Sequence, residues 1–124
     1  MQRGAAVLLP DDPEERKKCF RNALRNWRFA GYVLFNDRSQ DWLQAQLPDY
    51  AVRDLARELH LFVEGGGEID EQKERRPEWD DHDFHFDLRV PIRGRRLYFE
   101  TLLFCNNPND PDDPFISVVN VHDV

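Results

Sequence analysis

The chain reads as an α+β domain in which N-terminal helices pack on one face of an antiparallel sheet of about four strands. Three observations carry that reading. Apart from one short apolar run, apolar residues recur at three- and four-residue steps up to about residue 65 and at alternate residues afterwards, so the period switches once from helical to strand-like. All the long helix-like segments precede the strand-like ones, the order expected when helices are segregated to one face of a sheet. A length of 124 residues supplies one hydrophobic core and would starve two, so residues 1–124 form a single domain with a helical part at about 12–65 and a sheet part at about 67–124.

The first helix is PEERKKCFRNALRNW. Pro13 suits a first turn, Asp12 can cap it, and Glu14 and Glu15 complement the positive end of the helix dipole. Phe20, Ala23, Leu24 and Trp27 make its apolar stripe, and Lys17, Arg21 and Arg25 a charged one that reads as a solvated face. Tyr32 to Phe35 is either a short strand or a buried connection, since periodicity does not separate the two for so short a run. Ser39 is expected to cap a helix that Pro48 ends. Asp49 is expected to open another, with Val52, Leu55, Leu59 and Phe62 on one face and the glycines at 65–67 as its stop.

After Glu68 the segment GEIDEQKERR fits only an edge strand, and Pro77 ends it. Trp79 anchors the entry to the next strand, with Asp80 and Asp81 as loop acids. HDFHFDLRV alternates: Phe84, Phe86, Leu88 and Val90 belong to the core face, and Asp83, His85, Asp87 and Arg89 to the other. A tight turn through Gly94 leads to RRLYFETLLFC, whose Tyr98, Glu100, Leu102 and Phe104 lie opposite Leu97, Phe99, Thr101 and Leu103. NNPNDPDDP is a loop, and FISVVNVH a final β-branched strand.

Composition narrows the function classes. With 40% hydrophobic and 12% aromatic residues against 33% charged, the chain has the balance of a folded protein. No apolar run approaches the roughly 20 residues of a membrane span. The apolar patch in MQRGAAVLLPDDPEE is too short for a signal peptide, so a cytoplasmic location without a membrane partner is expected. Cys19 and Cys105 show no metal or redox spacing and are expected to be free thiols, buried or half-buried. The net charge of −7 is uneven: residues 1–62 hold 10 Lys/Arg and 9 Asp/Glu, and residues 63–124 hold 7 and 15. Such a balance argues against a general nucleic-acid binder and leaves room only for a local basic face.

The polar sheet face carries the candidate chemistry. His85 and His122 can exchange protons near neutral pH, Glu100 or Asp87 can orient an imidazole, and Arg89, Arg95 and Arg96 can hold a phosphate. Together they would suffice for metal-independent RNA cleavage. The same residues also make an ordinary cross-strand salt-bridge ladder. His85-Phe86-Asp87 has the spacing of a facial metal triad with His122 as a distant third ligand, but the chain is too short for the double-sheet fold such sites use. No metal and no other cofactor is implied. The glycines at 65–67 follow a helix instead of preceding one, and neither Ser39 nor Ser117 stands in a nucleophile motif.

Helices followed by an antiparallel sheet, with the pattern "HFDLR … GRRLYFET … ISVVNVH" over residues 50–124, resemble the RelE-like toxin nucleases, in particular the compact MqsR and BrnT types. The resemblance implies a ribonuclease whose acid–base groups are His85 or His122. It implies phosphate or base contacts from Arg89, Arg95, Arg96 and Tyr98. The alternative is a non-enzymatic acidic protein whose DDHDFHFD and NDPDDP segments engage a basic partner.

Overall fold

The computed structural model describes residues 9–79 and 82–124. The expectations about the first eight residues and about Asp80 and Asp81 lie outside the described residues. Helix α1 (Pro13–Arg25) starts as expected, the Asp12 carboxylate accepting the Glu14 N–H at 3.3 Å. Strand β1 (Val33–Phe35) follows, and then helix α2 (Asp37–Gln46) and helix α3 (Val52–Glu64). Two expected caps are corrected. Asn36, not Ser39, caps α2 by accepting the Ser39 N–H at 2.9 Å, while Ser39 is buried and its hydroxyl donates to the Val118 carbonyl at 3.3 Å. α3 begins at Val52 rather than Asp49: the Asp54 carboxylate accepts the Ala51 N–H at 3.0 Å, and Asp49 pairs with Arg93.

Strand β2 (Asp70–Lys73) is shorter than the charged ribbon expected there, and a single 3₁₀ turn (Pro77–Trp79) leads towards strand β3 (Phe84–Ile92). Strand β4 (Arg95–Phe104) follows through a tight turn in which Arg93 and Gly94 both have positive φ, 51° and 76°, a two-residue hairpin geometry that Gly94 adopts without strain. Strand β5 (Phe115–Asp123) closes the chain. The sheet has five strands in the order β1-β5-β4-β3-β2, and β1 runs parallel to β5. An antiparallel sheet of four strands was expected, and the difference is the run Val33–Phe35. It is fixed by remote partners: the Ile116 N–H donates to the Tyr32 carbonyl at 2.9 Å and the Asn36 N–H to the Val118 carbonyl at 3.1 Å.

One sheet face and the helices enclose the core. Phe86, Leu88, Leu97, Phe99, Leu103 and Ile116 meet Phe20, Leu24, Leu55 and Leu59 there, all fully buried. The alternation read for β3 and β4 holds, Phe84 being only partly buried at the rim. Cys19 and Cys105 are free and buried with sulfurs 3.4 Å apart, and burial together with its partner thiol pushes Cys105 up to about 12. Arg16, buried on α1, grips Glu71 of the edge strand through two hydrogen bonds of 2.6 and 2.9 Å.

The outer face owes its composition to one bulge. Thr101 pairs with Val118 but Glu100 pairs with Asn120, so β5 carries one extra residue, Val119. Were the register continuous, His122 would stand opposite Leu97 on the core side; the extra residue turns Asn120 and His122 outward and Val121 inward.

Candidate functional site

Two groups of polar side chains share the outer face. The first lies where β3 runs on past the end of β2. Arg89, Arg95 and Arg96 line one cleft of about 560 Å³ with Phe62, Glu68 and Pro91. Arg89 also donates to Asp70 at 2.9 Å, which keeps its guanidinium firmly charged, and sits 5.6 Å from the centre of the Tyr98 ring. Tyr98 in turn stacks on His122, with ring centres 4.6 Å apart and planes 20° apart. Arg96 is exposed with no ion pair among the described residues, whereas Arg95 has the parity of Leu97 and turns to the helix side, donating to Asp123 at 2.8 Å and to Gln46 Oε1 of α2 at 3.0 Å, 5.6 Å from the centre of the Trp42 ring.

The second group is buried near the middle of the face. The connection after β2 folds back over the sheet, so that Glu74 and Arg76 join β3 and β4. Arg76 bonds Glu74 through Nε and Nη2 at 3.0 Å each, and reaches Glu100 through Nη1 at 3.2 Å and through Nη2. His85 Nδ1 is 3.0 Å from Glu74 Oε2, and His85 Nε2 is 3.7 Å from Asp87 Oδ2. The side chains of Glu74, Asp87 and Glu100 are 1%, 5% and 5% exposed, against 39% for Arg76. Two buried carboxylates thus flank one half-exposed guanidinium, with the third, Asp87, beside His85.

Their environments separate them. Burial alone would raise the Glu74 carboxyl, but hydrogen bonds from the side chain and backbone of Arg76 hold it down to about 2. Asp87 is raised above the usual carboxylate range by burial, against a hydrogen bond with Tyr98 that works the other way. Burial and that same bond raise the Tyr98 hydroxyl. One oxygen of Asp87, Oδ1, is buried with no hydrogen-bond partner among the described residues.

The candidates read from the sequence are therefore divided. Arg89, Arg96 and Tyr98 form one continuous corner of the outer face, and His122 belongs with them, whereas Arg95 lines the same cleft from the helix side. His85 and Glu100 belong to the buried cluster. His122 stands opposite Tyr98, and Tyr98 opposite Arg89, so His85 is two strands across from His122 and four residues along. Strand spacing and rise put the two histidines roughly 16 Å apart, too far to serve one phosphate. The exposed His122 spends Nδ1 on the Asp123 carbonyl at 2.8 Å.

Glu74 and Arg76 were not legible as site residues, because a charged ribbon ending in proline gives no sign of the surface it folds onto. Pro77 marks an end only after Arg76, whereas the strand stops at Lys73. The acidic loop is occupied with its own structure: Asp113 accepts the Asn106 and Asn107 N–H groups at 2.6 and 2.9 Å, and Asp110 accepts that of Asp112 at 2.9 Å. Among the described residues no helix is long and apolar enough to cross a membrane. No protein-family model, curated protein or solved structure matches the chain.

Proposed function

We propose that the corner formed by Arg89, Arg96, Tyr98 and His122 binds single-stranded RNA. The arginines take phosphates, and the Tyr98–His122 stack offers a ring face to a base. One observation carries this reading: Arg89 lines the arginine cleft and also lies over the Tyr98 ring, so phosphate-directed and base-directed groups are contiguous. Single-stranded RNA is recognised by that combination of cationic groove and stacking platform. The salt bridge that Arg89 makes is partly exposed, and such a pair exchanges one anion for another at little cost. The reading is one of binding; cleavage by a His85–His122 acid–base pair has no support in their separation.

Titration of a fluorescent single-stranded RNA oligonucleotide, followed by anisotropy, tests it. Two arginine–phosphate contacts predict a plot of log affinity against log salt with a slope of about −1.4. Arg96→Ala is expected to make that slope shallower by about 0.7. Absence of binding at low salt, or binding that ignores salt, overturns the reading.

A further inference from the structure

We propose that Glu74, His85 and Glu100 form a binding site for a divalent transition-metal cation. The inference goes beyond RNA binding and does not rest on it. One ligand atom from each of the three residues falls within 4.8 Å of the others. Ligands about 2.1 Å from a common ion stand some 3–4 Å apart, so the set needs only to contract slightly around a cation. The mixture of two carboxylates and an imidazole suits zinc and its first-row neighbours, whereas magnesium prefers oxygen ligands and retains its water.

Two features separate this cluster from an ordinary group of surface acids. Its carboxylates are buried, and buried charge needs compensation. Arg76 supplies one positive charge against Glu74 and Glu100, whereas a dication in its place would balance both. The second feature is the orphaned Asp87 Oδ1, on a residue only 4% exposed. Asp87 stands directly across from Glu100 on the neighbouring strand, with its other oxygen facing His85 Nε2. With His85 Nδ1 turned to the ion, Asp87 becomes the outer carboxylate that orients a ligating imidazole. The Arg76 guanidinium, which now bridges Glu74 and Glu100, is the internal competitor that the ion displaces; at 39% exposure it can swing into solvent.

The test is calorimetric titration of the chelator-treated full chain with zinc chloride, in buffer free of RNA. One ion per chain is expected, with no heat from magnesium chloride at the same concentration. Glu100→Gln and His85→Ala are expected to weaken zinc by more than about a hundredfold, beyond the loss that an outer-shell partner causes. Arg76→Ala is expected to tighten it, and His122→Ala, which removes an exposed imidazole elsewhere on the face, to leave it unchanged. Should His85→Ala fail to fold, Glu100→Gln and the visible absorption of wild-type protein loaded with cobalt(II) decide. No binding by the wild type overturns the proposal. So does zinc binding undiminished in the variants, or weakened by Arg76→Ala.

Discussion

The two polar groups on the outer face are made of the same residue types and behave oppositely. In the corner the charges are arginines, Arg96 exposed and without an ion pair among the described residues and Arg89 paired with a partly exposed acid, so each can be given up for a ligand at little expense in stability. In the cluster the charges are carboxylates out of water, and the one arginine among them holds the connection after β2 onto the sheet. Burial of the carboxylates therefore decides which group is disposable: the corner can exchange its partners freely, and the cluster can exchange its arginine only for another cation.

Substitutions can break that contrast. The largest effect is expected from Arg76→Ala, which leaves Glu74 and Glu100 buried without their counter-charge. A loss of about 2–3 kcal/mol is expected, less than for a fully buried pair because Arg76 keeps some solvent. The denaturant midpoint reads it directly. Exposure of Cys105 to a thiol reagent reads it independently, since that thiol stays protonated and buried until the chain opens. A smaller loss, about 1 kcal/mol, is expected from Thr101→Val, whose hydroxyl donates to the Phe86 carbonyl at 2.8 Å beneath the cluster. Arg89→Ala is expected to change stability by less than about 1 kcal/mol while weakening RNA, because its bridge to Asp70 is a quarter or more exposed at each end. His122→Ala is expected to leave the unfolding midpoint in place and to reduce RNA affinity by about 1–3 kcal/mol if the imidazole is the stacking surface.

Much of the fold was legible in the sequence, and the division of the site was not. The alternation of Phe84, Phe86, Leu88 and Val90 and the Asp12–Pro13 helix start are local signals, and both hold. β1 was ambiguous because its three residues are fixed only by β5, far away in the chain. Ser39 looked like a cap because it precedes apolar residues, whereas Asn36, at the end of β1, has the geometry to cap α2 and is held there by its side chain's bond to the Val119 carbonyl. For the site, the periodicity of β3 correctly turned His85, Asp87 and Arg89 to one face. It carried no information about register, and register decides that His122 faces Tyr98 instead of approaching His85. The bulge at Val119 has no marker within VVNVH, and Glu74 and Arg76 reach the face through a connection whose path only tertiary packing sets.

The division of the outer face into a binding corner and a buried cluster is tested most directly by amide NMR spectra recorded while a short single-stranded RNA is added to the zinc-free protein. Shifts concentrated at Arg89, Arg96, Tyr98 and His122, with Glu74, Arg76 and Glu100 unmoved, are the expected result. Shifts centred on His85, Glu74 and Glu100, with the arginine corner silent, would contradict it.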